Sequence, residues 1–316
     1  MELPGTANDG ILACARRNRN VHPVPSSRPR RGCEPGQNGS RMVAMLILCT
    51  TDGSHQSLHV LPHAATFARA TGMEIALVRI YEDDGRTEEN PDRTQWLHTA
   101  LAEHGIGGRV IVAERGSNED TATAIARVAS EAGAAMIAMD SRGVGAMRHA
   151  IFGSTAISVL RKSPCPVLVT GPAAGPPSTA DPYRLAITTD GSAASRSAFV
   201  KLGPLLESSC IPVEVIGVYV PALADAPLTI ELERRKATCR AAAAMLPQCI
   251  QSTVGVTRAE EFERTEHAIV RAAHEAGASI IAMGTHGRGR SLHLFLGSVA
   301  LGTVERSDLP VILCGQ

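Results

Sequence analysis

Short apolar runs alternate along this chain with longer stretches in which apolar residues recur every three or four positions. Unbroken apolar runs of about four to eight residues are typical of strands buried on both faces, and the longer spacing is typical of amphipathic helices. Because strands and helices alternate at the spacing of βαβ units, we expect a parallel, doubly wound α/β sheet. From residue 44 the pattern predicts strands at 44–51, 74–81, 108–114, 134–139 and 166–170. It predicts helices at 55–70, 94–104 and 153–162, and a further helix that is capped by Asn118 or Asp120 and ends at about 132.

The whole pattern returns in the second half of the chain. TTDGS occurs at 50–54 and again at 188–192, and EAGAAMIAMDSRG at 131–143 matches EAGASIIAMGTHG at 275–287. An internal repeat of this length predicts two copies of one domain, at 43–171 and 183–316, joined by a Pro- and Gly-rich linker at 172–182. The second copy has predicted strands at 184–189, 213–220, 255–262, 279–283 and 310–314. Its predicted helices are one that follows Ser192 and ends at about 208, and three at 229–246, 266–276 and 297–306.

The first 42 residues do not share this pattern. They are poor in apolar residues and rich in Arg, Pro, Gly and Ser, as in RRNRNVHPVPSSRPRRG. We therefore expect a disordered basic extension at 1–42, a dispensable tail in preference to an interaction arm.

Composition narrows the function classes. The 31 basic and 31 acidic residues give a formal net charge of +0, which does not favour a nucleic acid as partner. The 8 Cys are scattered without the spacing of a zinc site, so we expect buried reduced thiols, a cytoplasmic location and no metal site. No apolar run approaches the roughly 20 residues of a membrane span, and we expect no membrane partner.

A glycine-rich stretch at 283–298, MGTHGRGRSLHLFLGS, separates a predicted strand from a predicted helix. Gly284 and Gly287 leave room for a phosphate chain to approach the backbone, and Gly297 and Ser298 stand where a helix N-terminus offers free N–H groups. Asp190 follows the first strand of the same copy, where a carboxylate suits a ribose hydroxyl or an adenine amino group. The combination predicts a nucleotide site at the carboxyl edge of the second sheet.

Other nucleotide motifs are absent from the sequence. There is no G-x-x-x-x-G-K-[ST] loop, and no G-x-G-x-x-G follows the first strand of either copy, which disfavours P-loop chemistry and NAD or FAD. His286 has no carboxylate nearby in the sequence to orient it as a base, and Ser54 and Ser192 look like helix caps. We therefore assign no catalytic residue.

The glycine spacing resembles that of the universal stress protein family, which carries Gly-x2-Gly-x9-Gly-[Ser/Thr] after its fourth strand; Gly284, Gly287, Gly297 and Ser298 match it. The resemblance covers both copies. It implies two tandem Rossmann-like domains of the adenine nucleotide alpha-hydrolase-like type, each with a five-stranded parallel sheet flanked by helices. It also implies ATP, with Mg²⁺ as a further possibility, and dimerisation through the last strands. Carried over by position, the site residues are Thr188, Asp190, Val218, Met283, Gly284, Gly287, Gly297, Ser298 and Val299. From its place in the loop over the phosphates, Arg288 is a further candidate for a phosphate contact, with Arg290 as the alternative.

The first copy departs from this motif because Asp140 replaces its first glycine. We expect that carboxylate to repel a polyphosphate and its Cβ to crowd the ligand, so the first copy is predicted to be a degenerate site. If the first copy binds a nucleotide, the expected contacts are Asp52, Gly143, Gly153 and Ser154.

The predicted function is therefore ATP binding in the second domain, as a stress-response sensor or switch with at most slow hydrolysis and an unidentified regulatory protein partner. Two alternatives stay open: a nucleotide-free structural or interaction module, and a weak ATPase or nucleotidyl-transfer enzyme. In a tandem chain, the last strands at 166–170 and 310–314 are free to pair with each other, as an internal pseudo-dimer, or with those of a second copy.

Overall fold

A computed structural model describes residues 45–82, 91–142, 152–207, 209, 211–221, 227–286 and 296–315. Gly143, Gly287 and Arg288 of the predicted sites lie outside these residues, as does the predicted extension at 1–42. The strands are β1 Leu46–Thr51, β2 Glu74–Glu82, β3 Arg109–Arg115, β4 Ala134–Asp140, β5 Val167–Thr170, β6 Leu185–Thr188, β7 Val213–Tyr219, β8 Ser252–Arg258, β9 Ile280–Gly284 and β10 Val311–Cys314. The α-helices are α1 Val60–Thr71, α2 Pro91–Glu103, α3 Thr121–Glu131, α4 Ser154–Lys162, α5 Ala193–Leu206, α6 Leu228–Ala243, α7 Thr265–Glu275 and α8 Ser298–Arg306.

All the described strands form one ten-stranded sheet, in the order β3-β2-β1-β4-β5-β10-β9-β6-β7-β8. Within each half the neighbours are parallel, with Thr50 opposite Val78 in the first half and Thr188 opposite Ile216 in the second. This confirms the predicted α/β class and the order of elements. In each half the chain reverses its direction across the sheet at the first strand, which places a crevice at the carboxyl ends of the strands.

The two halves meet through β5 and β10, which pair antiparallel with Val311 opposite Val169 and Leu313 opposite Val167. The internal pairing expected of the two last strands is therefore present. Because the junction is antiparallel, the carboxyl ends of the two sets of parallel strands lie at opposite edges of the sheet.

Apolar side chains fill the sheet on both faces. One layer packs α1, α2, α5 and α6 against the sheet and has Phe67 and Phe199 among its fully buried members. The other layer packs α3, α4, α7 and α8 around residues such as Val169 and Leu313. The central strands are buried on both faces, which explains why their sequences are unbroken apolar runs instead of alternating ones.

One arginine cluster occurs in both halves and shows the repeat at the level of side chains. Arg127 on α3 contacts Glu119 and Glu131 and donates to the carbonyl oxygen of Glu114. On α7, Arg271 makes the same three kinds of contact, with Glu263, Glu275 and the carbonyl oxygen of Arg258. In each half the arginine ties a helix to the end of the strand before it.

The segment predicted to link the halves contains no helix or strand, yet it is fastened to the second half. The N–H group of Gly175 donates to the carbonyl oxygen of Asp308 at 2.8 Å, and Ser178 Oγ donates to Ser279 Oγ at 2.8 Å. A Cβ on Gly171 would lie 1.8 Å from the carbonyl oxygen of Val304, so the chain passes α8 at a distance that admits only glycine.

The strand predicted at 255–262 has wrong bounds, because β8 runs from Ser252 to Arg258. β8 is an edge strand whose side chains are exposed or half-buried, so its apolar pattern is weak. Phe262 contributed to the prediction, but it is 96 % exposed in the following loop and has a positive φ of 64°. None of the helices in the described parts of the chain is long and apolar enough to cross a lipid bilayer.

Candidate functional site

The turn after the first strand of each half is built by the same hydrogen bonds. Thr189 Oγ1 accepts from the N–H group of Gly191 at 3.1 Å, and Asp190 Oδ1 accepts from that of Ser192 at 2.9 Å. Ser192 then caps α5 by accepting from the N–H group of Ser195 at 3.1 Å. The turn fixes Asp190 at the carboxyl edge before any ligand arrives, and Gly191, with φ of 81°, supplies the left-handed residue that it needs.

The first half repeats this turn with Asp52 in place of Asp190. Asp52 Oδ1 accepts from the N–H group of Ser54 at 2.9 Å, and Ser54 Oγ accepts from that of Ser57 at 3.1 Å. Ser192 is thus confirmed as a helix cap. Ser54 accepts from the N–H group of Ser57, but the N-cap of the 3₁₀ helix that follows it is His55.

Three neighbouring strands bring the other predicted residues of the second half to the edge where Asp190 lies. β6 lies between β7 and β9, so Thr188, Val218 and Met283 all stand near carboxyl ends. The N–H group of Gly297 donates to the carbonyl oxygen of Thr285 at 2.7 Å and brings the start of α8 back to the end of β9. Ser298 and Val299 form the first turn of α8. We call this edge the second cleft; Gly287 and Arg288 would belong to its loop and lie outside the described residues.

The start of α8 offers donors to an anion. Its N-cap is Gly297, with φ of −66° and ψ of 149°, and this glycine has no side chain to accept from the N–H groups of the first turn. The first four N–H groups of an α-helix have no partner within the helix, and the helix dipole adds partial positive charge there. α4 begins in the same way at Gly153, whose N–H group donates to the carbonyl oxygen of Ser141 at 2.8 Å.

Gly284 ends β9 and lies against the start of α5. A Cβ at this position would lie 2.4 Å from the carbonyl oxygen of Ala194 and 3.1 Å from the Cα of Ser195. Real Cβ atoms do not approach backbone so closely, so a side chain here would displace the first turn of the helix. The missing side chain of Gly284 therefore leaves room for α5, and its contact with a ligand stays a prediction.

Asp140 holds the corresponding position in the first half, and there the helix does start differently. Residues Gln56–His59 form a 3₁₀ helix before α1, whereas α5 is α-helical from its first residue. By the TTDGS repeat, Gln56 matches Ala194, the residue that a Cβ on Gly284 would strike. The half with Asp140 at this position thus begins its helix with a 3₁₀ turn, and the half with Gly284 does not.

The carboxyl group of Asp140 is only 5 % exposed and has its own partners in the fold. Oδ2 accepts from Thr170 Oγ1 at 2.9 Å, and Oδ1 accepts from the N–H group of Arg142 at 3.0 Å. Burial raises the pKa of Asp140, while these hydrogen bonds, His59 and Gln56 act in the opposite direction. The carboxylate of Asp140 thus has partners within the fold, Thr170 and Arg142, and the crowding of a ligand by its Cβ stays a prediction.

The first half has a cavity of about 470 Å³ at the carboxyl ends of β1, β2 and β4, and we call it the first cleft. It lies next to the start of α4, and Gly153 and Ser154 contribute to its wall, as predicted for a contact site, together with Asp52. Asp140 does not fill it. Its lining residues are Thr50, Thr51, Asp52, Ser57, Val78, Arg79, Ile80, Tyr81, Glu82, Arg115, Thr121, Ile125, Met139, Asp140, Ser141, Arg142, Gly153, Ser154, Thr155 and Ala156.

Two buried polar atoms of the first cleft lack a hydrogen-bond partner among the described residues. They are Ser141 Oγ, on a fully buried residue, and Arg142 Nε. Leaving such atoms unpaired usually costs about 1–3 kcal/mol each. Arg142 was visible in the sequence as a cation that could partly compensate for Asp140. Ser141 was assigned no role there, nor was Arg79, an arginine in the middle of the apolar strand sequence IALVRIYE.

The comparisons with known proteins agree with this architecture. The model of the "Universal stress protein family" matches residues 45–171 and 184–315. A structure of a putative universal stress protein from Pseudomonas aeruginosa UCBPP-PA14 is 18% identical, covers 86% of this chain and 94% of its own, and has a TM-score of 0.55. A universal stress protein from Archaeoglobus fulgidus DSM 4304 is 21% identical over 85% of this chain and 98% of its own, with a TM-score of 0.54.

At these identities the two solved structures show the fold alone. A search of curated proteins found no match to the chain. The family match covers both halves of the sheet and stops at the segment between them. The chain therefore belongs to the universal stress protein family, as a tandem of two family domains.

Proposed function

We propose that this protein binds ATP in the second cleft and that binding acts as a sensor or switch in the stress response, with at most slow hydrolysis. The observation that carries the proposal is the hydrogen bond from the N–H group of Gly297 to the carbonyl oxygen of Thr285. It brings the N-terminus of α8, whose N-cap is a glycine without a side-chain cap, to the end of β9. Backbone N–H groups at such a terminus hold phosphate oxygens. Family membership supports the same assignment, and ATP would bring Mg²⁺ with it.

The other end of the second cleft suits a nucleoside. Asp190 stands at the end of β6, held through its Oδ1 by the N–H group of Ser192. A carboxylate in this place accepts from a ribose hydroxyl or from the amino group of adenine. Val218 and Met283 supply apolar surface near the neighbouring strand ends. The ligand thus spans the crevice, with the base near Asp190 and the phosphates near Ser298.

The domain arrangement belongs to the same proposal. We assign one domain to 43–171 and one to 183–316, with 172–182 as their connection. The pairing of β5 with β10 makes the chain an internal pseudo-dimer. A homodimer of two such chains and a regulatory protein partner remain predictions.

Calorimetric titration of the full chain with ATP tests the proposal. The variant Asp190→Asn keeps an oxygen for the N–H group of Ser192 but removes the charge, and we expect it to weaken ATP binding about tenfold. Asp52→Asn changes the same residue of the same turn in the first half and is the matched control, with unchanged ATP affinity in the second cleft.

Three results would each contradict part of the proposal. If ATP produced no heat of binding, the alternative of a nucleotide-free structural or interaction module would be favoured. Equal affinity of Asp190→Asn and the wild type would remove the second cleft from the assignment. Turnover of ATP at a rate of about 1 per second or faster would make the protein an enzyme instead of a switch.

A further inference from the structure

Arg79 lies in the second half of β2, lines the first cleft and has its guanidinium over two aromatic rings. Its guanidinium carbon lies 4.7 Å from the centre of the Tyr81 ring and 5.4 Å from that of Trp96. Stacking holds the plane of a guanidinium and leaves its N–H groups pointing outward from its edges. Among the described residues, no hydrogen bond or ion pair of Arg79 is found.

The guanidinium of Arg79 also lies over the turn that carries Asp52. A Cβ built on Gly53 would be 2.6 Å from the guanidinium carbon, which shows how closely the two approach. Asp52 and Arg79 both line the first cleft. One end of the cavity therefore presents a fork of N–H donors beside a carboxylate acceptor.

The second half has no counterpart of this arginine. The registers of β1 with β2 and of β6 with β7 place Gly217 where the first half has Arg79. A Cβ on Gly217 would lie 2.7 Å from Cys239 Sγ, so α6 packs too closely for any side chain there. The two clefts of one chain thus differ at the end where the nucleoside is proposed to lie.

The charges at this end of the first cleft favour a neutral group over an additional phosphate. Arg115 is ion-paired with Glu82, and Asp52 lines the same cavity as Arg79, so this part of the cleft carries two carboxylates as well as two arginines. A second anionic group would meet Asp52 and Glu82 as well as Arg79. A neutral ring that offers acceptors to Arg79 and donors to Asp52 meets no repulsion.

We propose that the first cleft selects a guanine nucleotide over an adenine nucleotide, with Arg79 donating to the guanine O6 and N7 and Asp52 accepting from its N–H groups. Guanine presents the O6 and N7 acceptors as a pair, which arginine binds through two hydrogen bonds, whereas adenine places an amino donor at the same carbon. The phosphate lies at the start of α4, near Ser141, whose buried Oγ gains a partner. The inference rests on the proposed nucleotide-binding function and extends it to a second, different ligand.

Trp96 makes the test specific for the first half, because it is the one Trp of the 316 residues and its ring contacts Arg79. The full chain is titrated with GMP and with AMP while the fluorescence of Trp96 is followed. We expect GMP to act at about a tenfold lower concentration than AMP, the discrimination typical of one bidentate arginine–guanine pair. Equal affinities, or a preference for AMP, would overturn the inference.

Variants then assign the selectivity to the arginine. Removing Arg79 changes the surroundings of Trp96, so the variants are compared by calorimetry in the Asp190→Asn background, where the second cleft is weakened. We expect Arg79→Ala to reduce the preference for GMP to about parity, and Arg79→Lys to lose most of it because lysine has no fork. Arg240→Ala, an exposed arginine on α6, is the control and keeps the preference. A preference that survives in Arg79→Ala overturns the assignment.

The failure of this inference differs from the failure of the ATP proposal. ATP binding that Asp190→Asn weakens, combined with no response of Trp96 to GMP, rejects guanine selection in the first cleft and leaves the second cleft as proposed. A response of Trp96 to GMP without any binding of ATP rejects the second cleft and leaves the first.

Discussion

Gly284 at the end of β9 faces the carbonyl oxygen of Ala194 in the first turn of α5, where a Cβ would come within 2.4 Å. The first glycine of the family motif is thus required by the packing of a strand against a helix. In the first half, Asp140 takes its place and the facing turn is a 3₁₀ helix at Gln56–His59. The difference between the two halves therefore extends from the loop into the adjoining helix.

The variant Gly284→Ala measures this packing directly. The added methyl group must displace the backbone of Ala194, and overpacking of this kind costs about 1–3 kcal/mol in the free energy of unfolding. Chemical denaturation followed by circular dichroism provides the value. Gly107→Ala is the control, because nothing lies within 4 Å of a Cβ at Gly107, and its effect should stay within about 0.5 kcal/mol. Equal effects of the two variants would contradict the packing role of Gly284.

Gly284→Asp recreates the first half in the second. We expect it to lose most ATP binding, because the aspartate opens the start of α5 and moves Asp190, which is held by the N–H group of Ser192 just before that helix. Calorimetry provides the affinity, and circular dichroism at the assay temperature shows that the variant is folded. A folded variant with unchanged ATP affinity would contradict the proposed dependence of ATP binding on the position of Asp190 at the start of α5.

Asp140→Asn tests the buried carboxyl group through pH. Burial raises the pKa of Asp140 in the folded protein, so the folded state binds this proton more tightly than the unfolded state. Ionisation therefore opposes folding, and the wild type loses stability as the pH rises from about 4, the value for an unfolded aspartate, through the raised pKa. The asparagine variant lacks this loss, so its stability relative to the wild type should increase over that interval and then level off.

The measurement for Asp140→Asn is the free energy of unfolding at several pH values from about 4 to 8, from urea denaturation. Glu103→Gln removes an exposed carboxyl group at the end of α2 and serves as the control, with a difference that does not follow the same course. A relative stability of Asp140→Asn that falls as the pH rises would show that the carboxylate is stabilised in the fold by Thr170 and Arg142.

Arg271→Lys tests the arginine cluster that ties α7 to the end of β8. Arg271 reaches Glu263 through two of its nitrogens, at 3.1 and 2.8 Å, and donates to the carbonyl oxygen of Arg258 at 3.0 Å. Lysine keeps the charge but cannot make these bonds together, and we expect a loss of about 1 kcal/mol. Thermal unfolding of the variant beside Arg240→Ala, an exposed arginine of α6, checks the value; equal melting temperatures would contradict it.

Most of the fold was predictable because its central strands are buried on both faces. In runs such as AMLILCTT near β1, the apolar residues follow one another without a polar residue between them. The spacing of these runs is typical of a parallel α/β sheet. The bounds of β8 were wrong because an edge strand does not need an unbroken apolar run. Phe262, an apolar residue in an exposed loop, extended the predicted strand beyond its true end. The number of apolar residues in a short segment does not show which of its side chains face water.

The second cleft was predictable in its elements, because the carboxyl ends of adjacent parallel strands share one edge. The packing role of Gly284 could not be predicted, because it depends on contact with the backbone of Ala194, a residue far away in the sequence. Arg79 was missed for a similar reason. Its position in the strand sequence IALVRIYE was visible, but its stacking on Trp96 depends on where α2 packs.

Pairing β5 with β10 inside one polypeptide has a consequence for dilution. Two separate domains that meet through such strands come apart when their concentration falls below their dissociation constant. Here the partner strand is covalently attached, so its effective concentration is fixed by the connecting segment and not by the amount of protein in the cell. The two clefts therefore stay in a constant ratio of one to one, however scarce the protein becomes.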